Sequence, residues 1–314
     1  MADSQHTSWA FVTPSYKGDL QRCILLCHSI DAFVTGNWHH YVVVDRPHYS
    51  LFKHLQGPRR SVLLTDDVMP AKMRLLFHLP FVGSRSLWWS RETGLSLGWH
   101  IQQMVKIGIA SIVKEDGLAY CDSDIFFLKP LDTASLSQDG RLRLYRNYVK
   151  QNLEIIANPE FFNPCLDLLH LPKHAQYFTY IDNLVTWRRQ TVLEMCDHFA
   201  SLNSGKWYRI FRNRLQISEY TLYGLFVEEV QKDEKFHYAT SVSLCRTKWS
   251  KQNQPDQDVT EFCAGLDESQ VAVGFQSFLG IDITVLERQF EIALTEYESK
   301  PSAPTPEVVQ ETEI

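Results

Sequence analysis

The chain has 314 residues, 31 Lys+Arg against 37 Asp+Glu (formal net charge −6), 44% hydrophobic and 22% charged residues. At roughly 100 to 200 residues per domain this length accommodates one large α/β domain or two smaller ones. Apolar runs such as Cys23–Cys27 and Val42–Val44 fall well short of the ~18 residues of a membrane span, and the acidic balance argues against a general nucleic-acid binder.

Residues 1–8 form a polar N-terminal arm without the basic and apolar segments of a secretory signal, so the cytoplasm is the expected compartment. Trp9–Thr13 reads as a buried strand and Pro14–Gly18 as a turn. A helix then starts near Asp19, a suitable N-cap, with Leu20, Cys23, Ile24 and Cys27 on one face. Tyr41–Val44 reads as a strand ending at Asp45, Leu51–Leu55 as a short helix, and Ser61–Leu64 as a third strand. A helix is expected over about Leu97–Val113, followed by a strand Leu118–Cys121 that runs into Asp122.

Further on the expectations are a strand near Leu142–Tyr145 and helices near 160–170, 191–202 and Ser218–Glu229. A strand at Val271–Val273 follows, and then a helix from Thr284 with Glu287 completing a capping box. Strands alternating with helices imply an α/β fold, a mostly parallel sheet covered on both faces. We divide the chain into a first half over 9–135, a second over 136–298 and an acidic tail over 299–314. The seven cysteines show no C-x-x-C spacing and read as reduced thiols, Cys23 and Cys27 as small core residues.

Ligands of such sheets sit at the carboxyl ends of strands, which marks Thr13, Tyr16 and Asp45. The sharpest motif is Asp122-Ser123-Asp124, delivered by one apolar run and followed by another. Two hard oxygen ligands at a strand end suit Mg²⁺ or Mn²⁺, which in turn bridges a diphosphate; the plainer reading is a turn or capping pair. A second Asp-x-Asp, Asp256-Gln257-Asp258, lies in a polar stretch and reads as a loop. On the preceding helix Gln102 stands with Lys106, and Trp99 with Gln103, at i,i+4 spacing. They either face a nucleotide or lie on an amphipathic surface. Ser218-Glu219-Tyr220 is a helix start with Ser218 as N-cap, where Glu219 complements the helix dipole.

Taken in order, Thr13-Pro14-Ser15-Tyr16-Lys17-Gly18-Asp19, Val42-Val43-Val44-Asp45, the Trp99/Gln102/Gln103/Lys106 helix, Asp122-Ser123-Asp124 and Ser218-Glu219-Tyr220 resemble glycosyltransferases of the GT-A fold, over roughly residues 8–280. More narrowly, they are similar to a bacterial group acting on surface glycans or glycolipids. The resemblance implies a GT-A-like single large domain and a donor that is a nucleotide sugar, UDP-linked. It implies that Thr13, Pro14 and Tyr16 line the nucleotide pocket, that Asp45 contacts base or ribose, and that Gln103, Lys106 and Ser123 approach the donor. Asp122 would meet ribose and metal, and Asp124 the metal. The late histidine that many such enzymes add as a metal ligand has His237 as its candidate here, while Gln276-Ser277 occupies a comparable late position without an imidazole.

Glycosyl transfer also needs a carboxylate on the acceptor or opposite face of the sugar, for which Glu219 is the first choice and Asp182 the second. Tyr220, Tyr223, Arg209 and Arg212 are expected on the acceptor side. Lys206, Arg209, Arg212 and Arg214 interleave with Trp207, Tyr208 and Phe211, a stretch suited to a diphosphate, a lipid-linked acceptor or an anionic membrane, and equally to a basic surface loop. Trp88-Trp89 reads as a buried aromatic pair or as a sugar platform. Two other classes stay open: a haloacid dehalogenase-like phosphatase, in which Asp-x-Asp usually lies near the N-terminus with a Thr after it, and a non-catalytic module that binds glycan or nucleotide sugar.

Overall fold

The computed structural model describes residues 7–69, 72–79, 85–148, 159–173, 177–212, 214, 216–232, 234–249 and 258–299. Along them run β1 (Trp9–Ser15), α1 (Leu20–Phe33), β2 (Trp38–Val44) and β3 (Arg60–Leu64), then β4 (Arg74–Leu79), β5 (Arg85–Ser90) and β6 (Gly94–Leu97). Next come α2 (Gly98–Gly108), β7 (Gly117–Tyr120), β8 (Ile125–Phe127), β9 (Arg141–Tyr145) and α3 (Pro159–Leu168). The last third holds β10 (Val185–Arg188), α4 (Arg189–Leu202), α5 (Glu219–Leu225), β11 (His237–Thr240), β12 (Cys245–Lys248), β13 (Ala272–Phe275) and α6 (Ile283–Glu298). Among the described residues no helix is long and apolar enough to cross a membrane.

The fold is mixed α/β. A central sheet has the order β10-β7-β1-β2-β3, in which β7, β1, β2 and β3 are parallel and β10 is antiparallel to β7. All seven residues of β1 are buried because both faces of this sheet are covered. Ala10 and Val12 pack with Met104 and Val105 of α2, whereas Trp9 and Phe11 pack with Leu26, Ile30 and Phe33 of α1. Cys23 and Cys27 join Val42, Val44 and Phe52 as core residues. From β1 the chain steps outward to β2 and β3, then crosses back to place β7 on the other side of β1. The carboxyl ends of β1 and β7 therefore flank the reversal, which is where sheets of this kind bind ligands.

The second half of the chain completes sheets begun by the first: β10 adds to β7, and β13 pairs antiparallel with β8 while running parallel to β12. A division near residue 135 is thus no boundary between separate cores. Several local expectations shift. β1 continues through Pro14 and Ser15, and a 3₁₀ turn at Lys17–Asp19 precedes α1, whose start is not capped by the Asp19 side chain. The short helix is Tyr49–Phe52 with a 3₁₀ turn at Lys53–Leu55. α5 stops at Leu225 and passes into a π-helix at Phe226–Gln231. The cap of α6 is Asp282, whose carboxylate accepts from the Thr284 N–H and hydroxyl, in place of a Thr284–Glu287 box. Asp258 caps the helix Val259–Ala264, while Asp256, Gln257, most of the N-terminal arm and nearly all of the tail lie outside the described residues.

Tyr180 lies flat against the backbone of α5 at Gly224, where any Cβ would overlap its ring. A helical Gly→Ala change is ordinarily stabilising by up to about 1 kcal/mol. Here Gly224→Ala is expected to destabilise by about 1–3 kcal/mol through overpacking, read as a lowered Tm and denaturation midpoint.

Candidate functional site

β7 ends one residue before the Asp-Ser-Asp turn, and β8 begins directly after it, so the turn is held at both sides by paired strands. The Phe275 N–H donates to the Asp124 carbonyl at 3.0 Å, carrying the β8–β13 pairing to the turn itself. Asp124 Oδ1 is buried and has no hydrogen-bond partner among the described residues. Burial, with Asp122 and Asp19 adding repulsion, pushes the Asp124 carboxyl up to about 8. Asp19, the helix cap expected from the sequence, does not cap α1 with its side chain. It instead accepts a 3.4 Å hydrogen bond from Ser123 and is itself raised, chiefly by burial. Arg22, one turn along α1, donates to the carbonyls of Phe275 and Ile281 and offsets part of the acidic charge on Asp124. Neither role has a sequence signal beyond a place in the first strand-to-helix connection.

Lys106 comes from α2 and is almost fully buried. Its ammonium lies 3.0 Å from Asp122 Oδ1 and 3.3 Å from Glu219 Oε1, and donates to the Tyr220 hydroxyl at 2.8 Å. Burial alone would depress an ammonium; Asp122, Tyr220 and Glu219 outweigh it and hold Lys106 well above its ordinary value. Glu219, buried at the first turn of α5, is raised by burial against the lowering pull of Lys106. Ser218 caps that turn by accepting from the Thr221 N–H. The Tyr120 hydroxyl donates to the Lys106 carbonyl, and the Tyr120 ring meets Trp187 and Tyr220 edge-on, so the lysine's own backbone is pinned. One turn earlier on α2, Gln103 is fully buried with neither side-chain amide atom partnered among the described residues. Buried amides are nearly always satisfied, which sets Gln103 apart from the other buried polar side chains of α2.

Asp182 and Asn183 immediately precede β10, separated from it by Leu184, which adopts a left-handed conformation (φ 59°). The antiparallel pairing of Val185 with Tyr120 directs this segment toward the end of β7 from which Asp122 emerges. Burial pushes Asp182 up to about 7 against lowering hydrogen bonds from Ser243 and the Asn183 backbone. Asn183 donates to Thr247 at 3.0 Å, and the close passage of β13 here is possible because residue 274 is glycine. Gln276 and Ser277 follow β13 directly, next to the Asp124 turn, so the late position noted in the sequence does reach the site.

Other expected residues lie elsewhere or are engaged. The Thr13 hydroxyl is buried against His40 Nε2 at 2.9 Å, within a network that includes Arg60 and Asp31. Pro14 is buried within β1, while Tyr16 is half-buried beside Asp19 and Arg22. Asp45 sits at the end of β2 and accepts from the Thr65 hydroxyl. His237 is not brought to Asp122 and Asp124: its Nε2 is 2.7 Å from the Tyr223 hydroxyl, and it lines a cavity of about 570 Å³ with Arg146 and Glu228. Glu228, on the π-helix, binds Arg146 at 2.6 Å and Tyr180 at 2.5 Å. Tyr223 is fully buried, stacked on Trp187 and bonded to the Arg188 N–H, which leaves it no acceptor-facing surface. Arg209 is bound to Glu92, and Arg212 lines a separate cavity with Arg214.

Among the described residues no three His, Cys, Asp or Glu side chains are grouped to hold a metal. A pair of carboxylates still fits Mg²⁺ or Mn²⁺, because such ions commonly take one or two protein carboxylates and complete their shell with substrate phosphates and water. The orphaned Asp124 Oδ1 and the part-exposed Asp122 would be those two ligands. A model of the family of unknown function DUF6492 matches residues 10–293, and the chain belongs to that family. No curated protein matches it.

Two predictions follow from these charges. Lys106→Met strands Glu219 in the core and is expected to cost about 3–5 kcal/mol, whereas Lys106→Met/Glu219→Gln should fall short of additivity by about 0.5–3 kcal/mol in denaturant midpoints. Because Asp182 has a folded-state value near 7, above its ordinary 3.8, the protein binds that proton more tightly than the unfolded chain does, and this contribution is lost as pH rises through that window. Asp182→Asn should therefore raise Tm relative to wild type more above pH ~7.5 than near pH ~5, as thermal melts at both pH values will report.

Proposed function

We propose that this member of DUF6492 is a glycosyltransferase that moves a sugar from a nucleoside-diphosphate donor, UDP-linked, to a hydroxyl of a glycan or glycolipid in bacterial surface polysaccharide synthesis. We read its sheet as GT-A-like, working on the cytoplasmic side. The observation that carries this reading is the convergence, at the reversal point of a mostly parallel sheet, of Asp122-Ser123-Asp124 with a buried Lys106 and Glu219.

In this reading Asp122 and Asp124 hold Mn²⁺ or Mg²⁺, which when bound neutralises charge on the departing diphosphate. Gln103 supplies an amide to the donor, and Lys106 holds Asp122 and Glu219 in place. Glu219, at the first turn of α5 and raised above its ordinary value by burial, accepts the proton of the attacking hydroxyl. Asp182 and Asn183 contact the acceptor. The order of strands supports a ligand at this end of the sheet over a simple turn role for the two aspartates.

The test is release of nucleoside diphosphate from a panel of nucleotide sugars, with Mn²⁺, Mg²⁺ or chelator. Metal-dependent release from at least one donor is expected. Glu219→Gln should keep donor binding by calorimetry and lower turnover by about two to four orders of magnitude. Absence of both binding and release across the panel overturns the reading, and a Glu219→Gln enzyme at native speed removes that residue from the chemistry.

A further inference from the structure

β4, β5 and β6 form an antiparallel sheet of their own, and its two faces differ in character. On one face Trp88 and Ser96, cross-strand partners, are buried, Trp88 in the main core. On the other, Arg74, Trp89 and Leu95 stand in one row across the three strands, since Arg74 pairs with Trp89 and Trp89 with Leu95. Trp89 is 43% exposed, Leu95 58%, and Leu76 in β4 47%. Exposed tryptophan and leucine side by side with an arginine is not what a solvated sheet face requires.

The turn joining β5 to β6 connects this face to the basic segment of the chain. Glu92 in that turn accepts from Lys206 at 2.5 Å and from Arg209 at 2.8 Å. Past these two cations, Arg209, Arg212 and Arg214 border a cavity of about 490 Å³ with Leu202, Asn203 and Ser204. One carboxylate is set against four cations here, in a chain whose net charge is −6. The concentration of positive charge is local and adjoins the only exposed Trp–Leu cross-strand pair among the described strands.

We propose that this apolar sheet face and the adjoining arginine cluster together form a docking surface for an anionic lipid bilayer. Trp89 and Leu95 enter the headgroup boundary, where the amphipathic indole is favoured, and Arg74, Arg212 and Arg214 meet lipid phosphates. The charge of the cluster selects an anionic membrane over a neutral one. The proposal does not depend on what reaction the protein carries out.

Flotation of the full chain with phosphatidylcholine vesicles, and with the same vesicles containing phosphatidylglycerol, tests it. Binding is expected to the anionic vesicles alone and to fall as salt rises from about 0.1 to about 1 M, which shortens the screening length from about 10 to about 3 Å. Arg212→Glu/Arg214→Glu should weaken it at least about thirtyfold, at about a factor of five per lost cation. Trp89→Ser/Leu95→Ser should weaken it as well, with the salt dependence retained. All four positions are outside the core, so melting curves matching wild type confirm that both variants fold. No binding to anionic vesicles, equal binding to neutral ones, or binding unaffected by both variants overturns the proposal. So does sedimentation showing a dimer that Trp89→Ser/Leu95→Ser dissolves, because the face would then belong to a second copy of the chain.

Discussion

One buried ammonium holds the two ends of this fold together. Lys106 reaches from α2 to Asp122, at the end of a central strand, and to Glu219 and Tyr220, at the start of a helix more than a hundred residues later. A lysine in that setting survives only because two carboxylates and a phenol surround it, and each carboxylate in turn is tolerable only because the lysine is there. Tyr120 fixes the lysine's backbone, Trp187 supports Tyr120, and Tyr223 stacks on Trp187. The aromatic core is therefore the mounting for a charged centre.

Around that centre the protein gathers acid faster than it gathers base. Asp19, Asp122 and Asp124 converge on one turn, with Arg22 and Lys106 as the opposing cations. The raised values of Asp19 and Asp124 come first from burial, to which the neighbouring carboxylates add and against which Arg22 pulls.

Much of this was legible before any coordinates. The parallel strands announce themselves by unbroken apolar runs that end in polar residues, which is the mark of Asp45, Asp122 and Asp124, whereas helix spacing leaves Lys106 open between surface and site and only the GT-A resemblance points it to the donor. Three kinds of feature were not legible. Side-chain direction within a doubly covered strand leaves no trace in the sequence, which does not show that the Thr13 hydroxyl faces His40. Long-range pairing is equally silent: nothing local in Asp182 or Gln276 shows that β10 and β13 bring them to the Asp-Ser-Asp turn. An aromatic or histidine near a motif also reads as function when its neighbours are unknown. Tyr223 and His237 satisfy one another inside the core.

The π-helix at Phe226–Gln231 has a consequence for how related chains will differ in length. Hydrogen bonds from residue i to i+5 accommodate one more residue per turn than the α-helix that precedes it, so this stretch carries a surplus residue. A chain lacking that residue could continue α5 as an ordinary helix. Its start would keep Glu219 and Tyr220 on Lys106, but the residues beyond would rotate by about 100°, swinging the position of Glu228 away from Tyr180 and Arg146. Such a shortened chain would keep the charged centre and change the cavity behind it.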